Sequence, residues 1–341
     1  MYDAVFVGGG AIGLACAWRA AERGLDVCVL ERDRAGSGAS HVAAGILAPD
    51  SETEPGHEPF VPLARRSLEL YPRFVEELGA DVGYWPCGML AVALDADEAA
   101  VLRREPGFTS WLTPSACRVL EPGLSPLVAG GALSEDEASV DPRRLVAALA
   151  ERVTVREGVE VAAVTRDSVT TTGGERIAAG RVVVCAGAWS GFAGAPVRPV
   201  KGQVVRLRGE LPAQRMIRTE RAYVVPRRSG EVVLGATVEE RGFDTTVTAG
   251  AVHELLREGY RVLPELAELE LVDASAGLRP GSPDNGPLLG EREDGVLLAT
   301  GHYRNGILLA PITAETIAAL LAGDDPPPEA VPFAPDRLVT A

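Results

Sequence analysis

The sequence predicts an α/β fold with two lobes, a parallel-sheet domain and a second, mainly antiparallel α+β domain. Three observations support this fold class. The chain opens with a strand, a glycine-rich turn, a helix and a second strand; alternating apolar and polar residues fill much of residues 196–274; and 341 residues with 46% hydrophobic content can bury more than one core. The net charge of −15 disfavours a nucleic-acid or anionic-membrane partner, because phosphate binding needs clustered positive surface.

The first elements have the pattern of a dinucleotide-binding site. The apolar run AVFVG predicts a buried parallel strand, and Gly8, Gly10 and Gly13 then match G-x-G-x-x-G before the helical run LACAWRAAERG. In this motif the glycines allow a tight turn, close approach of a pyrophosphate and close helix–strand packing. Glu31 ends the second strand, LDVCVLE, and is placed to accept hydrogen bonds from a ribose diol. The pattern predicts a Rossmann-like domain, and the acid disfavours NADP by repelling a 2′-phosphate.

The segment after Glu31 distinguishes between cofactors. RDRAGSGASHVAAGILAP is small and glycine-rich where an NAD-type fold would continue with a helix, and no second G-x-G-x-x-G follows. With its Ala43–Leu47 run, AAGIL, this stretch resembles the flavin-contacting loop of the FAD-dependent D-amino-acid oxidase and sarcosine oxidase family, above all its glycine oxidase branch. The resemblance implies non-covalent FAD and a discontinuous FAD-binding domain.

The middle of the chain predicts the entry into the second lobe. Residues 61–78 have a helical pattern that we expect to be interrupted near Pro72, and GYWPCGMLAVAL predicts a strand. Residues 95–137 are acidic and proline-punctuated, which predicts short helices and loops. Asp141 as N-cap and Pro142 at the first helical position then open another helix.

The remaining elements return to the cofactor and then build the second lobe. A hairpin turning at Gly173 and Gly174 precedes the apolar strand RVVVCAGAWS, where Gly187 would let the backbone approach the cofactor. The last residues, 324–341, predict an extended proline-rich tail. We therefore assign residues 1–80, 138–195 and 275–341 to the FAD-binding domain, and residues 81–137 and 196–274 to the substrate domain.

Three residues are candidates for substrate contact through the same resemblance. Arg279 lies in AGLRPGSPDNGPLLG, Tyr223 in YVVPRRSGEVVLGAT and Arg304 in GHYRNGILLAP, each close to a family pattern. The resemblance implies that Arg279 grips a substrate carboxylate, that Tyr223 hydrogen-bonds it and that Arg304 lies nearby. A planar guanidinium suits this role because it donates two parallel charge-assisted hydrogen bonds. Ile46 and Val238 stand where family members carry methionine, and we expect both in the pocket.

The other expected cofactor contacts fall in five parts of the chain. GHYRNGILLAP should bring loop backbone and a helix N-terminus against the flavin ring, where they stabilise negative charge. His41 is interpreted as a solvent-facing or capping residue rather than a covalent attachment site. The expected contacts are Gly8, Gly10, Ala11, Ile12, Gly13, Glu31, Arg32, Ser40, His41, Ala43, Ala44, Gly45, Leu47, Val161, Ala186, Gly187, Trp189, His302, Tyr303, Arg304, Asn305, Gly306 and Ile307.

The activity that the resemblance implies is oxidative deamination of glycine, sarcosine or small D-amino acids. Hydride would pass to flavin N5, water would hydrolyse the imino acid to an oxo-acid and ammonia, and oxygen would be reduced to hydrogen peroxide. Service to thiamine thiazole synthesis is implied as well. The alternatives are a sarcosine or D-amino-acid oxidase or dehydrogenase of the same fold, a tRNA-modifying flavoprotein, and a flavin-binding subunit without activity.

Targeting and metal signals are weak in this sequence. No apolar run reaches the ~18 residues that span a bilayer, and the N-terminus lacks a basic region and cleavage site, so we expect a cytoplasmic protein. The four histidines show no HxxxH or HxH spacing, and we expect no metal site. A homo-oligomer is left open.

Overall fold

A computed structural model describes residues 1–50, 59–105 and 110–338. The described residues form eighteen strands and eight α-helices. In chain order the strands are β1 (Tyr2–Val7), β2 (Val27–Leu30), β3 (Ile46–Leu47), β4 (Met89–Ala93), β5 (Ser110–Leu112), β6 (Gly130–Ser134), β7 (Ala138–Ser139), β8 (Thr154–Arg156), β9 (Val161–Thr165), β10 (Ser168–Thr171), β11 (Arg176–Val184), β12 (Arg198–Arg208), β13 (Met216–Arg218), β14 (Tyr223–Pro226), β15 (Glu231–Gly235), β16 (Glu270–Gly281), β17 (Leu288–Glu291) and β18 (Leu297–Thr300).

The helices connect and cover these strands. They are α1 (Ala11–Glu22), α2 (Ala39–Val42), α3 (Phe60–Leu78), α4 (Ala96–Leu102), α5 (Pro114–Leu120), α6 (Pro142–Ala150), α7 (Ala249–Val262) and α8 (Ala310–Ala322). Short 3-10 helices cover Gly187–Ala193, Pro264–Glu268, Pro328–Phe333 and Pro335–Leu338. Among the described residues, no helix is both long enough and apolar enough to cross a membrane.

The first sheet is the predicted parallel one. Its order is β17-β18-β11-β1-β2-β8, and β1 lies between two parallel neighbours, β2 and β11. The β9–β10 hairpin pairs antiparallel with β11, and β17 pairs antiparallel with β18 at the edge of the sheet. Helices α1, α3 and α8 pack together over this sheet, in a core that includes Phe6, Leu14 and Phe74.

The second sheet is nearly all antiparallel. Its order is β16-β12-β15-β14-β13-β4-β6-β5, with one parallel pair, β13 and β4. Helix α7 packs against β12 and β15, and its Leu255 and Val262 enter a second core. The fold class predicted from the sequence is confirmed, whereas the exact division into domains stays a prediction.

Local expectations in the middle of the chain need correction. Helix α3 is continuous through Pro72, because the ring lies on the exposed side, where water can satisfy the Leu68 carbonyl that loses its partner. Residues 95–137 contain the strands β5 and β6 as well as short helices, since both pair with the edge of the second sheet; residues 106–109 lie outside the described residues. The Asp141 cap is as predicted, its carboxylate accepting from the amides of Arg143 and Arg144.

The C-terminal segment is also more ordered than an extended tail. It forms two 3-10 helices, and the Phe333 ring meets Phe60 of α3 edge-on with the centroids 6.5 Å apart. Arg337 pairs with Asp284 at 2.9 Å. The ring contact and this ion pair hold the proline-rich segment against α3 and β17. Residues 339–341 lie outside the described part.

Candidate active site

A cavity of about 570 Å³ lies between the two large sheets. On one side it is lined by Val7, Leu30 and Cys185, at the carboxyl ends of β1, β2 and β11. On the other side it is lined by Tyr223 and Arg279 of the second sheet. Its volume is within the range of small-molecule sites, and the carboxyl edge of a parallel sheet is where such folds bind ligands.

The glycine turn after β1 closes tightly on the neighbouring strand. Gly8 has a φ of +115°, which other residues rarely adopt, and a Cβ there would overlap the Cys185 carbonyl. A Cβ at Gly13 would overlap the Gly8 carbonyl, so this glycine sets the distance between α1 and β1. Gly10 is the N-cap of α1 and carries no side chain, and Ser40 Oγ accepts from the Ala11 amide at 3.0 Å. The turn therefore presents backbone donors and a helix N-terminus to the cavity, as an anionic pyrophosphate requires.

Glu31 closes the same end of the cavity. Its Oε2 accepts a hydrogen bond from the Gly9 amide at 2.7 Å, and its Oε1 accepts one from the Asp33 amide at 2.9 Å. These bonds hold the carboxylate at the end of β2, beside the glycine turn. A fixed acceptor at this position suits a ribose diol.

The segment that follows Gly301 lines the opposite end of the cavity. His302–Ile307 form a turn in which Tyr303 has a φ of +48°. Helix α3 holds this turn: Tyr71 Oη donates to the Ile307 carbonyl and Ser67 Oγ to the Leu308 carbonyl, both at 2.6 Å. Helix α8 begins at Ala310, beyond the lining residues. We expected the N-terminus of this helix to lie against the flavin ring. The structure instead has the preceding turns, His302–Ile307, in the cavity lining.

His302 is buried and uncharged at neutral pH. Its side chain is 2% exposed, its Nε2 lies 3.0 Å from the Thr313 hydroxyl, and burial lowers its pKa to about 3. A neutral imidazole bonded to the first turns of α8 fixes the shape of this end of the cavity.

Arg279 and Tyr223 occupy space that two glycines leave open. Arg279 Nη1 donates to the carbonyls of Lys201 at 3.3 Å and Thr237 at 3.1 Å, which orients the guanidinium. A Cβ at Gly202 would overlap that guanidinium, and a Cβ at Gly235 would overlap the Tyr223 hydroxyl. Both side chains are half-buried. The second sheet thus presents an arginine and a phenol together in the cavity. We call the part of the cavity that they line the ring end, because a flavin ring would lie there.

A loop from the second sheet lies beside this end of the cavity. Lys201, buried and 1% exposed, donates to Asp244 Oδ2 at 2.7 Å and holds the pKa of that carboxyl well below its usual range. The Phe243 ring packs on Trp189, with centroids 5.6 Å apart, and Thr245 lines the cavity. The ion pair and the ring contact fix this loop near the entrance.

Most of the predicted site residues line one cavity. Arg304 lies exposed at its rim, while Arg279, Tyr223 and Ile46 lie within it. The expected cofactor contacts that line the cavity are Gly8, Gly10, Ala11, Ile12, Glu31, Arg32, Ser40, Ala43, Ala44, Gly45, Val161, Ala186, Gly187, Trp189, His302, Tyr303, Arg304, Asn305, Gly306 and Ile307.

Four predicted residues are not in the lining. Gly13 acts in packing behind the turn, and Leu47 is fully buried in the core beneath it. The His41 side chain points outward and is exposed. Val238 is 57% exposed, because the chain leaves β15 before reaching it, so it does not join Ile46.

The sequence interpretation missed several lining residues on the second sheet. Gly202 and Gly277 pair across β12 and β16 and both line the cavity. Two glycines on facing strands indicate a close approach, but that signal exists only when the strand register is known. Thr245 lies in an irregular loop and carries no sequence signal.

The residues present fit FAD. The acceptor Glu31 and the glycine turn match the adenosine and pyrophosphate parts, and the far end combines apolar walls with the backbone of Ala43–Ile46 and His302–Ile307. At Gly8 and Gly202 a side chain would overlap residues that form the wall of the cavity.

Comparisons with known proteins agree with this geometry. A family model described as FAD dependent oxidoreductase matches residues 3–320. The chain is 38% identical to the bifunctional protein ThiO/ThiG of Trichormus variabilis over 93% of this chain and 52% of that protein. It thus spans about half the length of that relative.

One further relative matches along nearly its whole length, both in sequence and in structure. The chain is 35% identical to the glycine oxidase of Geobacillus kaustophilus, over 98% of this chain and 97% of that one. The crystal structure of glycine oxidase from Geobacillus kaustophilus superposes with a TM-score of 0.92 at 34% identity, covering 98% of both chains. The resemblance predicted from the sequence is confirmed.

Proposed function

Because the chain belongs to the family of FAD-dependent oxidoreductases, we propose that it oxidises glycine or another small amino acid, with molecular oxygen as electron acceptor. One observation carries the proposal: Arg279 and Tyr223 meet in the same cavity whose other end bears the dinucleotide turn and Glu31. An anionic substrate held by the arginine would lie beside the ring of the cofactor. The relatives named glycine oxidase support the choice of substrate class.

The chain's own residues bind and orient the substrate. The Arg279 guanidinium, oriented by two backbone carbonyls, can pair with a carboxylate through charge-assisted hydrogen bonds worth about 1.5–3 kcal/mol each. Tyr223 offers a hydroxyl to the same carboxylate, and Arg304 adds positive charge at the rim. Gly202 leaves the space that the Arg279 guanidinium occupies, and Gly277 lines the cavity beside it.

Bound FAD supplies the two-electron acceptor for oxidation of the amine to an imine, and oxygen reoxidises it with release of hydrogen peroxide. Water hydrolyses the imino product to an oxo-acid and ammonia. The proposal needs no side-chain base, since the amine lone pair assists the departure of the hydride. His302, with its pKa lowered by burial to about 3, is neutral and bonded to Thr313, so it serves the shape of the site. We also propose that the enzyme is cytoplasmic and that its imino product serves thiamine thiazole synthesis.

Peroxide release from the purified protein tests this proposal. We expect a yellow protein that produces hydrogen peroxide with glycine, sarcosine or D-alanine, and not with amines that lack a carboxylate, such as ethylamine. Arg279→Ala should lose activity with the amino acids while it keeps its FAD. Flavin that an artificial dye reoxidises but oxygen does not would indicate a dehydrogenase and contradict the oxidase proposal.

A further inference from the structure

Two arginines of the second sheet are buried behind the cavity without lining it. Arg206 of β12 is 0% exposed and Arg227, which follows β14, is 5% exposed. Both pair with one carboxylate: Glu231 Oε1 lies 2.9 Å from Arg206 Nη1 and 3.1 Å from Arg227 Nε. Asp141 also attracts Arg227 without an ion-pair contact. Because Glu231 contacts both guanidiniums through the same oxygen, their remaining N–H groups need other acceptors.

Those acceptors are consecutive carbonyls of the segment His41–Ala44. Arg206 Nη2 donates to the His41 carbonyl at 3.1 Å and lies 3.5 and 3.4 Å from the next two carbonyls. Arg227 Nη2 donates to the Ala44 carbonyl at 2.8 Å, and its Nη1 to the Val140 carbonyl at 2.8 Å. Four successive carbonyls are thus turned toward the two arginines.

The other side of this segment faces the cavity. Ala43, Ala44, Gly45 and Ile46 all line it, whereas Arg206 and Arg227 do not. In a trans peptide the N–H points opposite to the C=O. The N–H groups of Ala44 and Gly45 are therefore directed away from the arginines, on the side where the cofactor ring would lie.

Burying two charges to hold a four-residue segment is costly. Burial lowers the pKa of both arginines, which shows that the surroundings penalise their charged form. A short apolar contact could close an ordinary loop at less cost. The planar fork of arginine, however, can orient several carbonyls and a carboxylate at once.

We propose that Arg206 and Arg227, joined by Glu231, are positioning residues that pre-form the backbone of Ala43–Ile46 for the ring end of FAD. They connect the second sheet to the segment Ala43–Ile46, so the flavin ring and Arg279 keep a fixed relative position. The inference rests on the FAD-binding family and not on the choice of substrate.

Titration of the FAD-free protein with FAD tests the inference. Arg227→Lys keeps the charge but loses the fork, and we expect its Kd for FAD to rise at least ten-fold, with a changed visible spectrum of the bound flavin at saturation. The matched control is Arg215→Lys, because Arg215 also pairs with a buried glutamate, Glu121, at 3.1 Å but lies away from the cavity. The control should keep its Kd within two-fold of wild type, even if its melting temperature falls.

A second variant guards against a folding defect. Glu231→Gln preserves the side-chain shape while it removes the shared charge, and its Kd should rise at least three-fold. Kd values within two-fold of wild type in both folded variants would overturn the inference. It would also be overturned if both variants failed to fold where Arg215→Lys folds, because the cluster would then serve folding alone. Since no substrate is present, a protein that binds FAD but does not oxidise glycine leaves this test intact.

Discussion

At the scale of single residues, the substrate end of the cavity depends on small residues that leave room for functional ones. Gly202 stands directly under the Arg279 guanidinium, and Gly235 stands under the Tyr223 hydroxyl. Neither glycine needs to contact substrate to determine where the carboxylate would bind. A methyl group at either position would move the far end of a flexible side chain rather than the backbone.

Gly202→Ala should therefore displace Arg279 with little effect on folding. We expect KM for glycine to rise at least ten-fold, about 1.4 kcal/mol of binding, while the melting temperature of the FAD-free protein changes little. Steady-state kinetics and thermal unfolding measure the two effects. The matched control is Gly250→Ala in α7, where an added Cβ meets open space and KM should not change. An unchanged KM in Gly202→Ala would remove Arg279 from the proposed carboxylate site.

His302 predicts a dependence of stability on pH. Its pKa is about 3 in the folded protein, against about 6.5 in an unfolded chain, so the unfolded state binds the extra proton. The contribution of the neutral imidazole is complete above pH 6.5 and is lost as the pH falls from 6.5 toward 3. Near pH 5 the free energy of unfolding should fall by about 1.4 kcal/mol for each pH unit.

Urea unfolding of wild type and His302→Gln between pH 7 and pH 5 measures this loss. The glutamine can keep a bond to Thr313 but does not titrate, so the stability of the variant should fall less steeply. Carboxylates contribute equally to both proteins and cancel in the difference. Parallel curves over this range would contradict a neutral, buried His302.

At the scale of elements, the glycine turn combines packing with ligand binding, and different glycines perform the two tasks. Gly13 allows α1 to pack closely against the end of β1, because a Cβ there would overlap the Gly8 carbonyl. Gly10 lines the cavity, and an added Cβ there would have only Ser40 Oγ nearby, at 3.4 Å. We therefore expect Gly13 to serve the packing of the fold and Gly10 to serve access to the cofactor.

Alanine substitutions separate these two tasks. Gly13→Ala should lower the free energy of unfolding of the FAD-free protein by about 1–3 kcal/mol through overpacking, and weaken FAD binding as a consequence. Gly10→Ala should weaken FAD binding to a similar degree while the FAD-free protein keeps its stability. Urea unfolding and FAD titration of both variants provide the comparison. Equal losses of stability would show that both glycines serve packing.

Sequence patterns predicted those elements that depend on residues close together in the chain. The β1–α1–β2 unit follows from apolar runs and glycine spacing, and the Asp141 cap follows from its residue types. The continuous α3 could not be predicted, because the tolerance of Pro72 depends on which side of the helix faces water. The place of Val238 depends on where β15 ends, and the pairing of Gly202 with Gly277 depends on strand register; both are properties of the assembled sheet.

At the scale of the whole molecule, the cavity joins residues that are up to about three hundred positions apart in the chain. The dinucleotide turn, the Ala43–Ile46 segment, the second sheet and the turn before α8 all contribute to it. A ligand that reaches from Glu31 to Arg279 would therefore connect the two sheets. Its binding energy should appear directly as stability of the folded state.

FAD should accordingly stabilise the protein by an amount that grows with the logarithm of its concentration divided by Kd. A concentration one hundred times Kd should raise the free energy of unfolding by about 2.7 kcal/mol, which differential scanning fluorimetry of the FAD-free protein would record as a higher melting temperature. FMN, which lacks the adenosine half that Glu31 would hold, is the matched control. At the same concentration it should give a smaller rise. Equal rises with FMN and FAD would contradict the assignment of Glu31 and the glycine turn to the adenosine half.

The central claim is that an amino acid held by Arg279 lies close enough to the bound flavin to reduce it. Its most direct test is the visible spectrum of the purified protein, recorded without oxygen before and after glycine is added. We predict that the flavin band bleaches in wild type, and that Arg279→Ala bleaches with dithionite but not with glycine. A wild-type spectrum unchanged by glycine, sarcosine and D-alanine would contradict the claim.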